Sequence, residues 1–304
     1  MKRRNFLAGL PAFSLLQKFE GSKIPFPISS NSYNWGTFYD REGKNWGANL
    51  EADMAEYAKT GLQAYEPSLS NANEARKLIE VLKKFKIKMP SVYIGSVLHE
   101  EKEIQKSVKN IQEIAEVVKR YGTKIIVTNP NPINWGSDKL KSDEQLILQA
   151  KTLDKIGKSL KLDGIKLAYH THDVELKAGA REFHHMLQNT SPENLFFCMD
   201  VHWIYRGSQN SQLAVFDVIK MYGNRIVELH IRQSRGYVWQ EIFSPDADIN
   251  YNQVVRELLN KKVKPHLVIE QCLEKGSPNT MNAVAAHKMD LKEVQNTFKL
   301  LLQP

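Results

Sequence analysis

The alternation of short apolar runs with longer helical patterns, from residue 24 to the end of the chain, most constrains the fold. Eight such strand–helix units follow one another at spacings of roughly 25–40 residues. The strand segments are continuous apolar runs, which indicates a parallel sheet buried on both faces. Eight units close naturally into a barrel, so the sequence predicts an α/β fold of the (β/α)8 TIM-barrel class.

An open doubly wound sheet is the alternative arrangement of the same units. It lacks support, because no G-x-G-x-x-G turn follows the first strand. A chain of 304 residues fits either two domains of about 150 residues or one barrel of about 250. No low-complexity linker divides the chain, and we therefore predict one barrel domain over residues 24–304.

The first 23 residues have a different character. Arg3 and Arg4 precede an apolar run from Phe6 to Leu16 that is too short to span a bilayer but fits the apolar core of a signal peptide. The pair of arginines followed by x-Phe-Leu resembles a twin-arginine export signal. We expect residues 1–23 to be an export signal or N-terminal tail, which predicts a periplasmic protein. The alternative is a basic N-terminal helix of a cytoplasmic protein.

Charge and composition exclude several classes of partner. The net charge is +8, but residues 1–23 contain five Lys or Arg and one Glu, which leaves +4 on the rest of the chain. These charges are scattered over helical segments, so no nucleic-acid partner is expected. The chain contains no stretch of 18 apolar residues, so no stable insertion into a membrane is expected. Two cysteines, Cys198 and Cys272, are too few for a disulfide scaffold.

Ionisable side chains follow the last four predicted strands. His170 ends strand five, Asp200 strand six, His230 strand seven and Glu270 strand eight, at intervals of 30, 30 and 40 residues. The carboxyl ends of barrel strands meet at one rim, so these four side chains are expected to converge. Two imidazoles and two carboxylates suit one divalent ion such as Mn, Co, Zn or Mg. His172, two residues after His170, should point the same way.

The strand-end segments LAYHTHDVELK, CMDVHW, LHIRQSR and LVIEQ resemble the motifs of the xylose isomerase-like TIM barrels. This superfamily includes sugar phosphate isomerases and epimerases, inosose dehydratases and endonuclease IV, and the resemblance spans residues 24–302. It implies metal ligands Glu, Asp, His and Glu at strands five to eight. Asp200, His230 and Glu270 match in type, whereas His170 replaces the first Glu and Arg232-Gln233 replaces a Lys-Asp pair.

The resemblance implies a small sugar as substrate, and several polar residues are expected to contact it. The loop after strand seven runs 19 residues, Arg232 to Asn250, and long loops tend to be functional. If this loop does not bind the substrate, the alternative site lies near Asn31, Tyr33 and Glu66. The predicted substrate-binding residues are Glu66, His202, Arg232, Arg235, Trp239 and Glu241.

The expected reaction is a proton transfer next to the carbonyl of a keto- or aldo-sugar. A metal chelated by the carbonyl and hydroxyl oxygens would stabilise the enediolate, with Glu270, then His172, as the proposed base and His170 as a further acid/base. Return of the proton gives isomerisation or epimerisation, and loss of a β-substituent gives a dehydratase or lyase. A non-catalytic sugar-binding barrel and an endonuclease IV-like nuclease are the remaining alternatives. A homo-oligomer is possible in each case.

Overall fold

Eight parallel strands form the centre of the structure, a computed structural model in which residues 26–303 are described. The predicted export segment, residues 1–23, lies outside the described residues. Strands β8 and β9 form a separate antiparallel pair in the loop after β7. The strands are β1 (Ser29–Asn31), β2 (Ala64–Glu66), β3 (Ser91–Ser96), β4 (Ile125–Pro130), β5 (Lys166–Tyr169), β6 (Leu195–Asp200), β7 (Ile226–Ile231), β8 (Ser234–Arg235), β9 (Val238–Trp239) and β10 (His266–Ile269).

The large sheet closes almost completely into a barrel. Its strand order is β2-β1-β10-β7-β6-β5-β4-β3, and every neighbouring pair is parallel. Isolated parallel bridges, Ala64 with Lys88 and Ser68 with Tyr93, connect the segments of β2 and β3. The arrangement confirms the predicted (β/α)8 barrel.

Helices surround the barrel and connect its strands. Each lies with its apolar side on the sheet, which buries the strands on both faces. The helices are α1 (Ser32–Arg41), α2 (Leu50–Ala58), α3 (Ala72–Phe85), α4 (Glu101–Val118), α5 (Asp143–Leu162), α6 (Lys177–Gln188), α7 (Val201–Gly207), α8 (Gln212–Tyr222), α9 (Tyr251–Asn260), α10 (Ala283–Thr297) and α11 (Lys299–Leu302).

Helix α3 shows how local sequence sets these elements. The side chain of Asn71 accepts hydrogen bonds from the N–H groups of Asn73 and Glu74, which satisfies donors left free at the helix start. Leu78 and Leu82, four residues apart, lie on the buried face. Burying each leucine side chain contributes about 1.5–3 kcal/mol, so packing on the barrel stabilises the helix more than its cap does.

The strands of the barrel are mostly buried, as their apolar runs predicted, with Lys166 of β5 and Gly95 of β3 exposed. All six residues of β4 are buried, and β10 is buried at each of its four positions. Gly157 of α5 lets this helix approach the chain before β6 closely. A Cβ atom there would lie 1.9 Å from the backbone oxygen of Asn194, so no other residue fits without a backbone shift.

Two elements differ from the sequence-based expectation. The apolar segment over residues 24–29 predicts the first strand there, but β1 is Ser29–Asn31. These short polar residues are buried inside the barrel and hydrogen-bonded there, so an apolar pattern does not reveal them. The loop after β7 contains the β8–β9 hairpin. Its two-residue turn, Gly236 and Tyr237, has positive φ at both positions, which matches the right-handed twist of a hairpin.

No helix within residues 26–303 combines the length and the apolar composition needed to cross a bilayer.

Candidate functional site

The four predicted ligands meet at the carboxyl ends of β5, β6, β7 and β10. Asp200 ends β6, His230 lies in β7, and His170 and Glu270 directly follow β5 and β10. Strand register places Asp200 opposite His230. One potential ligand atom from each of the four residues lies within 4.8 Å of the others, and all four side chains are buried. The barrel therefore brings together the cluster that the sequence predicted.

His170 provides a test of whether this cluster fits a metal ion. Its ring is buried, yet neither ring nitrogen has a hydrogen-bond partner within the described residues. Its Nε2 lies 3.8 Å from Oδ2 of Asp200, too far for a hydrogen bond. Unpartnered buried nitrogens are costly, and coordination by an ion would remove that cost. With one imidazole free and carboxylates beside it, the donor set fits a divalent ion.

His230 is held between carboxylates on both sides of its ring. Nδ1 lies 3.2 Å from Oε2 of Glu270, on the cluster side. Nε2 lies 3.1 Å from Oε2 of Glu66 and 3.3 Å from Oε1 of Glu228. Neither contact of Nε2 has hydrogen-bond geometry within the described residues, so Glu66 and Glu228 act on the ring through proximity and charge. Nδ1 is the nitrogen that faces the cluster.

The two supporting carboxyls have opposite pKa shifts. Burial, followed by repulsion from Glu228, raises the pKa of Glu66 to about 8. Burial would also raise the pKa of Glu228, but its contacts with His230 and His266 outweigh it and lower that pKa. Glu66 therefore carries the proton of this pair at neutral pH, and Glu228 carries the negative charge.

The charge of Glu228 is supported from the barrel core below the cluster. Its Oε2 lies 2.8 Å from Nδ1 of His266, and Nε2 of His266 lies 2.9 Å from Oγ of Ser29. Cys198 donates to Oε1 of Glu228 at 3.5 Å. Burial raises the pKa of Cys198 well above its usual range, which leaves it a neutral thiol and a poor nucleophile.

Arg232 brings a fixed positive charge to the same cluster. The residue is fully buried, and its Nη2 donates to Oε2 of Glu270 at 2.6 Å and to Oδ2 of Asp200 at 3.3 Å. The guanidinium carbon lies 5.2 Å from the ring centroid of Trp203 and 4.4 Å from that of Trp239. Nη1 is buried and has no partner within the described residues, so it can donate to a bound molecule.

Arg232 also changes the chemistry available to Glu270. Burial would raise the pKa of Glu270, but Arg232 and His230 hold it well below its usual range. A carboxylate with so low a pKa stays ionised, as a metal ligand must be. Its Oε2 already accepts a hydrogen bond from Arg232 and lies 3.2 Å from Nδ1 of His230, so the geometry favours Glu270 as a ligand over Glu270 as the base.

His172 is oriented by a network behind it. The amide nitrogen of Asn129 donates to the backbone oxygen of His170 and to Oε1 of Glu175, so Oδ1 of Asn129 must accept from Nδ1 of His172, 3.2 Å away. Oε2 of Glu175 also accepts from the backbone N–H of His172 at 2.7 Å. The proton on Nδ1 leaves a lone pair on Nε2. Burial and the neighbouring His170 hold the pKa of His172 well below its usual range, so the ring is neutral.

A cavity of about 440 Å³ opens above these groups. Its size is typical of sites for small molecules. Of the predicted site residues, His170, His172, Arg232 and Glu270 line it. The full lining is Asn31, Tyr33, Ser68, Tyr93, Trp135, His170, His172, Asp173, Trp203, Arg232 and Glu270.

Most of the predicted substrate contacts in the loop after β7 do not reach this cavity. The carboxylate of Glu241 is buried and accepts hydrogen bonds from Arg41, Thr280 and the N–H of Met281. Arg235 is exposed and donates to the backbone oxygen of Asp246. The hairpin folds back over α7 and turns these side chains away from the barrel mouth.

Trp239, His202 and Glu66 lie behind the cavity wall. Trp239 packs under Arg232 and donates from Nε1 to Nδ1 of His202, whose Nε2 lies 2.9 Å from Oγ of Ser234. Both nitrogens of His202 are thus occupied, so it has none left for a substrate. Glu66 contacts His230 from below and accepts a hydrogen bond from Asn31 at 2.6 Å. These residues orient the site rather than line it.

Four aromatic residues that line the cavity were missed as substrate contacts. Tyr33 was named only within the alternative site, and Tyr93, Trp135 and Trp203 were not named. Trp135 lies 5.1 Å from the ring of His172, and Trp203 lies 5.2 Å from it on the side of Arg232. Trp135 is 59% exposed, which is unusual for tryptophan. Its place in the loop after β4 is the sequence signal by which it could have been found.

Comparison with known proteins gives one family. The model of the xylose isomerase-like TIM barrel matches residues 48–291. Inosose dehydratase of Clostridium perfringens is 21% identical over 275 residues, which cover 81% of this chain and 90% of the relative. Inosose dehydratase of Mesomycoplasma hyopneumoniae is 26% identical over 200 residues, which cover 62% of this chain and 64% of the relative.

Solved structures share the fold at low identity. A sugar phosphate isomerase/epimerase from Parabacteroides distasonis superposes with a TM-score of 0.69 at 15% identity, covering 97% of this chain and all of that one. An L-ribulose 3-epimerase superposes with a TM-score of 0.68 at 14% identity, and the match covers 90% of this chain and 95% of the epimerase. A third structure is a xylose isomerase-like TIM barrel protein from Mycobacterium smegmatis, solved in complex with magnesium. It superposes with a TM-score of 0.64 at 12% identity, and the match covers 92% of this chain and 98% of that protein.

Proposed function

Because this chain belongs to the xylose isomerase-like TIM barrel family, we propose that it is a divalent-metal-dependent sugar isomerase or epimerase. The reaction would move the proton next to the carbonyl of a small sugar. One observation carries the proposal: a neutral imidazole with a free lone pair, His172, lines the same cavity as a cluster that fits a divalent ion.

The proposed roles follow from the contacts. His170, Asp200, His230 and Glu270 would hold the ion. That ion supplies Lewis-acid stabilisation of the negative charge that develops on the carbonyl oxygen.

His172 accepts the proton at Nε2, since Nδ1 already donates to Asn129. Nη1 of Arg232 donates to a substrate oxygen that gains negative charge. Trp135 and Trp203 flank His172 and provide apolar faces for the sugar ring.

A dehydratase is the second candidate, and one observation favours it: the sequence relatives described above are named inosose dehydratases. In that reaction Nε2 of His172 would take the α-proton, and the imidazolium so formed would return it to the β-hydroxyl as the C–O bond breaks and water leaves. Glu270, which is ionised and tied to Arg232, would supply no proton.

One experiment separates the candidates. The Mn-loaded protein is incubated in D2O with D-fructose, L-ribulose or a keto-inositol, and the products are followed by NMR. Deuterium at the carbon next to the carbonyl, together with an isomer or epimer, supports the proposal. A dehydrated product supports the dehydratase. A sugar that binds without proton exchange or product would contradict both and favour the non-catalytic barrel.

Two histidine variants test the role of His172: one replaces the proposed base, and the other is its matched control. His172→Gln should abolish exchange, whereas His184→Gln should not, because His184 lies on α6 beside Tyr222 and outside the cavity.

A further inference from the structure

A second cavity adjoins the first at the mouth of the barrel. It has a volume of about 610 Å³ and lies between α1, α2 and α3. Tyr33 and Ser68 line both cavities. The boundary is low, because Ser68 and Ser32 form a pair of small side chains there, with Oγ of Ser32 donating to Oγ of Ser68 at 3.1 Å. A molecule longer than one sugar ring can therefore extend from one cavity into the other.

Tyr33 is fixed at this boundary by its backbone. Its N–H donates to Oδ1 of Asn31, the cap of α1, at 2.7 Å. Its side chain is 53% exposed, and its hydroxyl has no hydrogen bond within the described residues. Burial raises the pKa of Tyr33, and the charge of Asp40, two turns further along α1, adds to the increase. The ring thus stands between the cavities with its hydroxyl free.

The second cavity has the lining of a sugar site. Trp46 is held in place by a hydrogen bond from Nε1 to the hydroxyl of Tyr65 at 2.9 Å and by stacking on Trp35 at 4.6 Å. The side chains of Asp40 and Asn45 are exposed and form no hydrogen bond or ion pair with the described part of the chain. An aromatic surface beside free carboxylate and amide groups suits a ring with many hydroxyls.

We propose that this second cavity binds the second ring of a disaccharide whose keto ring occupies the active-site cavity. The inference rests on the proposed function for the position of the reacting ring. Both cavities fall within the range of about 300–1,000 Å³ typical of small-molecule sites. Their shared residues make them one elongated site, so the substrate class is a glycosyl ketose rather than a free monosaccharide.

The test compares one ketose with its glycosylated forms. The Mn-loaded protein is assayed with D-fructose and with lactulose, isomaltulose and turanose, which carry a second hexose on different oxygens of fructose. At least one disaccharide should have a kcat/KM tenfold or more above that of D-fructose. Asp40→Ala and Asn45→Ala should each reduce this ratio by roughly 5- to 20-fold, as expected for one lost hydrogen bond to a ligand.

The control variant is Asp217→Ala, an exposed aspartate of α8 paired with Lys220. It should keep the wild-type ratio. A wild-type ratio at or below one for all three disaccharides would overturn the proposal, as would equal ratios in the wild type and both cavity variants.

Binding measurements test the second-ring site even if the proposed function is wrong. If no sugar is turned over, the three disaccharides and D-fructose are titrated calorimetrically into the wild type and Asp40→Ala. Disaccharide binding that exceeds D-fructose binding and weakens in the variant supports the second-ring site even then. A wild type that binds no disaccharide more tightly than D-fructose overturns it.

Discussion

A variant of Arg232 tests whether its guanidinium compensates the negative charges of Asp200 and Glu270 in the cluster. Replacing it by methionine keeps an apolar side chain of similar length between Trp203 and Trp239 but removes the charge. Asp200, which is fully buried, then loses its guanidinium partner, and Glu270 loses a hydrogen bond of 2.6 Å. Removing one partner of a buried ion pair costs about 3–5 kcal/mol, because the remaining charge is uncompensated.

The expected result for Arg232→Met depends on metal. In EDTA, the free energy of unfolding from urea titration should fall by about 3–5 kcal/mol. For a chain of this size each kcal/mol shifts Tm by roughly 2–4 °C, so Tm should fall by roughly 6–20 °C. At one Mn²⁺ concentration, about 100 times the Kd of the wild type, the ion adds about 2.7 kcal/mol to the wild type and more to Arg232→Met, because a cluster without the guanidinium charge binds the cation more tightly, so much of the loss should be recovered.

Arg235→Met is the matched control. Arg235 is exposed and donates only to a backbone oxygen, that of Asp246 at 3.3 Å, among the contacts described here. Its replacement should change stability by less than about 0.5 kcal/mol. The reasoning is refuted if Arg232→Met is as stable as Arg235→Met in EDTA, or if Mn²⁺ stabilises both variants equally.

Three further predictions follow from the site and the sequence. His172→Gln should lower kcat by about 10²–10⁴-fold with unchanged metal content, measured by elemental analysis; a loss of metal would show a ligand role instead. In EDTA, the wild type should lose stability relative to Glu66→Gln as the pH rises from about 5 to 8, because burial raises the pKa of Glu66 to about 8, so this group binds a proton in the folded state that it has lost in the unfolded state. The buried histidines, whose pKa values are lowered, titrate in both proteins and cancel in the difference. Parallel urea-midpoint profiles for the two proteins would reject the assignment. Replacing Arg3 and Arg4 by Lys should stop export, and an unchanged periplasmic yield would count against the twin-arginine interpretation.

The loop after β7 shows why sequence spacing failed where it did. Its length correctly marked it as unusual, but length does not reveal direction. Asp248 accepts hydrogen bonds from Ser234, Gly236 and Tyr237, and this folds the loop into a hairpin beside the site. Trp239 and Glu241 consequently face the protein, although both have the chemistry of sugar contacts. Such long-range hydrogen bonds leave no periodic pattern in the chain.

The sequence by itself determined the barrel and the buried cluster of histidines and carboxylates that could bind a metal ion. Continuous apolar strands alternating with amphipathic helices admit few topologies, and parallel strands all end at one rim. Residues at strand ends such as Asp200, His230 and Glu270 therefore had to converge, whatever the details of packing.

Only the tertiary structure decided the roles of the groups around that cluster. Arg232 contacts the carboxylate of Glu270 in a buried site and holds it ionised, whereas Nε2 of His172 keeps a free lone pair, and these contacts favour His172 over Glu270 as the candidate base. Tyr33 lies between two cavities, of which residues at the barrel rim line the first and residues of the helices α1 to α3 and the loops between them line the second. Charge coupling and cavity shape depend on distances between residues remote in the chain, and distances of that kind are fixed only when the barrel closes.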